Sequence, residues 1–110
     1  MKKYIMLAAI MLSALAASAQ TTWTNDPQHS CLGFVVKHLL ISEVDGRFAD
    51  FNATVTTSKP DYSDAKITLT AKVASIDTDV DPRDNHLRSA DFFDAEKYPT
   101  MTFKSTKLVK

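Results

Sequence analysis

One cysteine, Cys31, in a chain of 110 residues excludes an internal disulfide, so a small exported domain built from it must be held by packing or by a partner. Basic and acidic side chains number 13 each, and a chain with no excess of either sign lacks the electrostatic footprint for nucleic acid or an anionic membrane surface. Internal repeats, low-complexity tracts and linkers are absent. The three histidines, His29, His38 and His86, follow no zinc-ligand spacing. Asp77-x-Asp79-x-Asp81 begins like a calcium loop, but Pro82 and Arg88 stand where Gly and Glu are required. No metal, no cofactor and no catalytic residue is therefore expected. Cys31 reads as a half-buried small hydrophobe in a strand, with an intermolecular disulfide as the alternative. No helix N-terminus or clustered base stands near it to lower its pKa. Asn52-Ala53-Thr54 fits the glycosylation sequon, a triplet that often arises by chance.

What the chain does carry is legible first at its N-terminus. Lys2 and Lys3 precede an uncharged apolar run from Tyr4 to Ala16, and Ala17-Ser18-Ala19 is the small-x-small pattern accepted by signal peptidase. A signal peptide over residues 1–19 is predicted, cleaved after Ala19. The run is too short to remain as a membrane helix, so residues 20–110 keep no integral membrane segment. No cysteine stands at the cleavage site to carry a lipoprotein anchor. Cleavage removes Lys2 and Lys3 and takes the formal charge from 0 to −2. What is left makes one small domain, burying about two-thirds of its unfolded surface.

That domain reads as β. A short strand from Trp23 to Asp26 ends at Pro27. From Cys31 to Leu39, Leu32, Phe34, Val36 and His38 share one face, with Cys31, Gly33, Val35 and Lys37 on the other. Val44, Gly46 and Phe48 continue the alternation, and Phe51, Ala53 and Val55 resume it one residue out of phase. Such a shift inside one strand predicts a β-bulge, with Asp50 or Asn52 in the unusual backbone angles. Lys59 to Asp64 is a turn cluster. Ala65, Ile67, Leu69, Ala71 and Val73 then alternate with Lys66, Thr68, Thr70 and Lys72, an antiparallel strand with one buried face. Asp81-Pro82 starts a short helix from Pro82 to Ala90, capped by Asp81, with Asp84 near the positive end of the dipole. Asp94 to Lys97 forms one further turn before Pro99, and Met101, Phe103 and Ser105 mark a last strand. Between Arg83 and Phe93, charged residues crowd beside Phe92 and Phe93, as where a helix plugs or rims an apolar cavity. Pairing of its arginines with Asp84, Asp91 or Asp94 is the structural alternative.

These residues also carry a resemblance. Trp23, Asp26-Pro27, His29-Ser30, Phe34, His38-Leu39, Val44, Gly46, Phe48 and Phe51 resemble the opening motif of the YceI-like family. Ser75-Ile76-Asp77-Thr78, Arg83-Asp84-x-His86-Leu87-Arg88-Ser89, Asp91-Phe92-Phe93-Asp94, Lys97-Tyr98-Pro99, Phe103 and Ser105 form its most specific part. The resemblance implies a mainly β, antiparallel lipocalin-like barrel with a short helix before the last strand. It also implies a periplasmic or secreted location and a polyisoprenoid, isoprenoid quinone or fatty-acyl lipid held inside. Inward apolar rows of Phe34, Val36, Ile67, Leu69, Val73, Met101 and Phe103 are expected, with Phe48, Phe92 and Phe93 closing the mouth. His38, Arg83, Asp84, His86 and Arg88 are expected as polar groups of the mouth or as structural residues. Asn52 and Asp79 stand where the family usually has Gly, and both types tolerate left-handed backbone.

The chain stops near the middle of the family's length, so residues 20–110 are expected to form about half of the barrel. A truncated sequence ranks first among the explanations. Two copies associating into a homodimer, or a separately encoded second half, would also complete it. Lipid binding and transport or sequestration is the leading expectation. An interaction module that needs a partner chain and binds no lipid alone comes second. An enzyme acting on the head group through His38, or His86 with Asp84, comes last.

Overall fold

The computed structural model describes residues 19–109; the predicted signal peptide lies outside them, except for Ala19. Alternating sequence builds seven strands among the described residues: β1 (Thr21–Thr24), β2 (Leu32–His38), β3 (Ser42–Phe48), β4 (Phe51–Thr57), β5 (Lys66–Lys72), β6 (Ile76–Asp77) and β7 (Thr100–Lys104). A 3-10 turn, Val73–Ser75, joins β5 to β6, and an α-helix, α1 (Asp81–Arg88), precedes β7. Every strand pairing is antiparallel. One sheet runs β1-β4-β5-β7 and the other β2-β3-β6, and no barrel is closed among the described residues. The mainly β, antiparallel half-barrel with its short helix matches the sequence expectation.

The phase shift between Phe48 and Phe51 is not a bulge. β3 ends at Phe48 and β4 begins at Phe51 in the other sheet, so the out-of-phase residues mark a chain crossing from one sheet to the other. Asp50 and Asn52 are not in the left-handed region. Positive φ among non-glycines falls at Leu39, Leu40, Tyr62, Asp79 and Asp94. Asp79, at φ 61°, does take the backbone expected where the family has Gly; Asn52 is an ordinary strand residue.

The chain makes the same crossing twice at one place. β5 leaves the four-stranded sheet at Lys72, and after Val73–Ser75 the chain re-enters the three-stranded one as β6. Ser75 joins the two crossings: its carbonyl accepts from Ala49 N–H at 3.0 Å. Its hydroxyl accepts from Asp50 N–H at 3.0 Å and donates to the Lys72 carbonyl at 2.6 Å. Arg88 straps the corner from α1, donating Nε to the Ala74 carbonyl at 2.8 Å and Nη2 to the Ile76 carbonyl at 2.9 Å. Behind it Phe48, Ala71 and Ile76 form the buried core, with Leu32, Phe34, Phe51, Leu69 and Leu87 packed on it.

The helix departs from expectation at both ends. Val80, not Asp81, is the N-cap, and no side chain caps it; its carbonyl takes Asp84 N–H at 3.0 Å. Asp84 is turned back instead, accepting Thr78 N–H at 2.9 Å and the Thr78 hydroxyl at 2.5 Å. The helix stops at Arg88 because Ser89 is extended, with its hydroxyl on the His86 carbonyl at 2.6 Å. Strand β1 sits two residues earlier than expected, since Asn25 is drawn out of it to accept Ala53 N–H through its side-chain oxygen at 2.8 Å. The β2–β3 hairpin turns through Leu39 and Leu40 at φ 52° and 63°, a left-handed pair that costs branched L residues about 1–2 kcal/mol each.

Lysine cannot reach two carbonyls as a guanidinium does. Arg88→Lys should therefore destabilise the fold by about 2 kcal/mol, read as a lower urea midpoint; an unchanged midpoint would remove the strap from the account. The β4–β5 loop gives a pH signature. Asp64 accepts from Thr57 Oγ1 at 2.6 Å, Ser58 N–H at 3.0 Å and the Ser58 hydroxyl. The Ser58 and Thr57 hydroxyls, with Ser58 N–H, hold its carboxyl well below the ordinary 3.8. Since the folded carboxyl is the more acidic, its stabilisation is complete above 3.8 and drains as pH falls toward the folded value. Asp64→Asn should be less stable at neutral pH and show a flatter loss of melting temperature on acidification below about pH 4.

Candidate functional site

Directly opposed residues of an antiparallel pair share a face, so register decides which side chains meet. Leu69 opposite Phe103 and Ala71 opposite Met101 make one apolar row on the four-stranded sheet. Leu32 opposite Phe48, Phe34 opposite Gly46 and Val36 opposite Val44 make another on the three-stranded sheet. The rows bound a groove of about 460 Å3, lined by Leu32, Gly33, Phe34, Phe48, Leu69, Met101 and Phe103. No lining side chain carries a charge, a nitrogen or an oxygen. Its size falls in the range of small-ligand sites, about 300–1,000 Å3. A larger depression of about 540 Å3 beside α1 is walled by Asn85, Arg88, Ser89, Asp94 and Glu96 together with Ala74, Ala90 and Ala95, so charged and polar groups interrupt its apolar surface.

The groove wall depends on a glycine. Phe34 lies over Gly46, where a Cβ would stand 2.2 Å from Phe34 Cζ. The Phe34 and Phe48 rings sit 5.7 Å apart, and Phe93 meets Phe48 edge-on at 5.8 Å. Three aromatics thus run from the groove to the end of α1.

Of the residues expected to line a cavity, Phe34, Phe48, Leu69, Met101 and Phe103 come together here. Phe48, 6% exposed, serves as floor and core more than as mouth. Val36 continues the row beyond the groove and is exposed, while Ile67 lies near the far end of β5, beside Lys104 and Ser105. Val73 is 3% exposed in the corner turn and has no surface to offer a ligand. Phe93 is outside the lining and packs edge-on against Phe48, whereas Phe92 lies against His86 at 4.9 Å.

The polar residues divide differently. Arg83 donates Nε to Thr78 Oγ1 at 2.8 Å and Nη2 to the Thr78 carbonyl at 2.7 Å. Arg83 and Arg88 thus bind backbone, hydroxyl and, through Asn85 Oδ1 at 3.0 Å from Arg88, amide oxygens; among the described residues neither forms an ion pair with Asp84, Asp91 or Asp94. Asp84 is buried on Thr78, and His86 faces Asp91 at 3.1 Å, so the head-group chemistry considered for His86 with Asp84 has no assembled pair. His38 ends β2, exposed, opposite Ser42. The acidic run is held by Arg47, which donates to Asp77 at 2.5 Å and reaches Asp79 at 3.4 Å. Asp79 N–H and Arg47 both hold the Asp77 carboxyl below its ordinary value.

The sequence profile of the YceI-like domain matches residues 23–110. The chain belongs to the YceI-like family. A UPF0312 protein of Photorhabdus laumondii is 40% identical over 103 residues, covering 93% of this chain and 54% of its own length. Protein YceI of an Escherichia coli O6:H1 strain is 38% identical over 114 residues, covering the whole chain and 60% of its own. The chain thus spans little more than half the length of these curated relatives. Among solved structures, Burkholderia cenocepacia BcnA aligns with a TM-score of 0.69 at 27% identity, over 77% of this chain and 53% of that one. The Campylobacter jejuni YCEI protein aligns at 0.58 with 44% identity, over 80% and 52%.

Leu32 and Gly33 complete the groove beyond the residues that the sequence pattern marks as lining. Leu32 shares the face of Phe34, so the alternation already carries it. Gly33 enters because a residue without a side chain leaves the wall open there. Placing a methyl at Gly46 should force the Phe34 ring aside, since its nearest atoms are all from that ring. Gly46→Ala is expected to cost about 1–3 kcal/mol. Gly33→Ala, whose Cβ would have its nearest neighbour at 3.5 Å, should be nearly neutral. Equal urea midpoints for the two variants would contradict this packing.

Proposed function

We propose that this YceI-like chain supplies the wall of a periplasmic lipid carrier. It holds the hydrocarbon of a polyisoprenoid, isoprenoid quinone or fatty-acyl lipid between its two sheets, without covalent chemistry. The observation that carries this reading is the groove between the sheets, whose lining side chains offer no polar atom. Such a surface recognises length and width of an apolar chain, and burial at about 25 cal/mol per Å2 makes binding favourable without any directed contact. Arg83, Asp84 and Arg88, which the family motif places on α1, are engaged in holding the fold. That supports carriage over reaction.

A second reading rests on a specific feature. β2 and β7, which both contribute to the groove, are each edges of their sheets, and open edges accept further strands. A second copy or a separate chain would then complete the barrel, and this polypeptide would bind no lipid alone.

Native mass spectrometry of the chain isolated from an expressing periplasm separates the two. A monomer or dimer that releases a discrete lipid mass on gentle activation supports the carrier; a defined complex without lipid supports the second reading. Phe103 is 56% exposed, so Phe103→Asp should fold while placing a charge in the groove. Loss of one buried aromatic contact, about 1.5–3 kcal/mol, should weaken lipid retention roughly tenfold to a hundredfold. Undiminished lipid in that variant would move the binding site elsewhere.

A further inference from the structure

The apolar face that carries the groove continues past it. Leu69 stands opposite Ala53, and two residues along β5 the row Ile67–Val55–Trp23 crosses to the β1 edge of the sheet. Ala53, Val55 and Ile67 are half-buried, and no polar side chain stands between Leu69 and Trp23 on this path. The path covers two residues along a strand and two strands across, about 12 Å. It ends at a second concavity, of about 270 Å3, at the end of the sheet remote from the corner. Thr21 and Trp23 of β1, Thr57 at the end of β4, and Lys59, Pro60 and Tyr62 of the β4–β5 loop stand in its walls.

This concavity differs from the groove in holding polar atoms that the fold leaves open. Asp64 takes the Thr57 hydroxyl, the Ser58 hydroxyl and N–H, and Lys59 N–H at 3.3 Å, which fixes the loop. The Trp23 indole N–H, the Lys59 ammonium and the Tyr62 hydroxyl have no partner among the described residues. Trp and Lys side chains only donate, so the pocket suits a ligand that brings oxygen acceptors. Trp23 and Tyr62 are 54% and 47% exposed, which leaves both rings room for a ligand. Tyr62 holds φ 58°, an outlying backbone for a bulky residue and one that gathers at functional sites. Its N–H donates to the Lys59 carbonyl at 3.2 Å and closes the turn that carries both side chains.

We propose that this pocket is the head-group subsite of the carrier and takes a single carboxylate, which makes a long-chain fatty acid the ligand. Lys59 is the one lining residue that carries a charge, and it matches one carboxylate. The two oxygens of that carboxylate meet the donors of Lys59, Trp23 and Tyr62. An isoprenoid diphosphate would bring several negative charges to one ammonium, with Asp61 and Asp64 following in the same loop. A quinone ring is neutral and would leave that ammonium without a counter-charge. The inference rests on the carrier reading for the tail, which runs over Val55 and Ile67 into the groove. It narrows the three lipid classes of that reading to one.

Trp23 is the sole tryptophan, so its emission reports on the pocket in the full chain. The chain and its Lys59→Met and Phe103→Asp variants are titrated with oleate below its micelle-forming concentration, with oleyl alcohol and with farnesyl diphosphate. Bound lipid is measured in parallel by native mass spectrometry. Oleate should shift the Trp23 emission. Lys59→Met, which removes an ammonium that holds nothing in the fold, should weaken oleate roughly tenfold and leave oleyl alcohol unchanged. Equal loss for acid and alcohol, no loss for either, or a silent Trp23 on an oleate-loaded chain overturns the subsite. So does a chain that binds no oleate, or one that binds farnesyl diphosphate more tightly through Lys59. Phe103→Asp tests the carrier reading separately. Oleate lost in that variant but indifferent to Lys59→Met keeps the groove and removes the subsite; oleate that depends on Lys59 but not on Phe103 does the reverse.

Discussion

Two strand crossings, β3 to β4 and β5 to β6, occur side by side, and the two sheets keep their separation because both crossings are tied to one residue. Ser75 spends its hydroxyl and its carbonyl on backbone groups of Ala49, Asp50 and Lys72. A chain that leaves a sheet strands its N–H and C=O groups, and each buried one left unmet costs about 1–3 kcal/mol. Ser75 and the Arg88 guanidinium meet those at the corner, so the sheets can diverge there without penalty. The divergence is what leaves room between them for a groove.

Legibility in the sequence follows from the range of the interactions involved. Alternation by two located β2, β5 and β7 within a residue or so, since each has a wet and a dry face and the pattern is local. The same pattern misassigned Phe48 to Phe51, because a phase shift looks alike whether the strand bulges or the chain changes sheets. That choice is made by partners far along the chain, Ser75 and Lys72, which no local window contains. The cap on α1 failed for a related reason. Asp81 has the composition and position of a cap, but Thr78 and Asp84 already close that turn, and Asp84 accepts both the hydroxyl and the N–H of Thr78.

The groove was legible in outline and not in extent. Phe34, Leu69, Met101 and Phe103 declare themselves by sitting on the dry faces of clear strands. Val73 shares the period of β5 but lies past its end, where the 3-10 turn swings it into the core. Ile67 keeps the period and the face, yet it stands four residues from Ala71 at the end remote from the corner. Periodicity assigns a side of a sheet; it does not say where along the strand a cavity begins. The role of Gly46 depends on a ring twelve residues earlier, and only the pairing of β2 with β3 brings the two together.

The string that most clearly marks the family, from Arg83 to Phe93, supplies no residue of the groove lining; Leu87 and Phe93 reach it through the core and through Phe48. Its charges suggested a polar mouth, but Arg83 and Asp84 close on Thr78, and Arg88 closes on Ala74 and Ile76. Each of these contacts fixes the segment that carries Ile76 and α1, and Phe93 at the end of that segment packs on Phe48. Phe48 in turn packs on Phe34, which forms the wall. A change in the motif would therefore reach the groove through the packing of three rings, without any of its charged groups meeting a ligand. The family signature describes how the corner is built, and the ligand is left to apolar residues that any strand with the right period could supply.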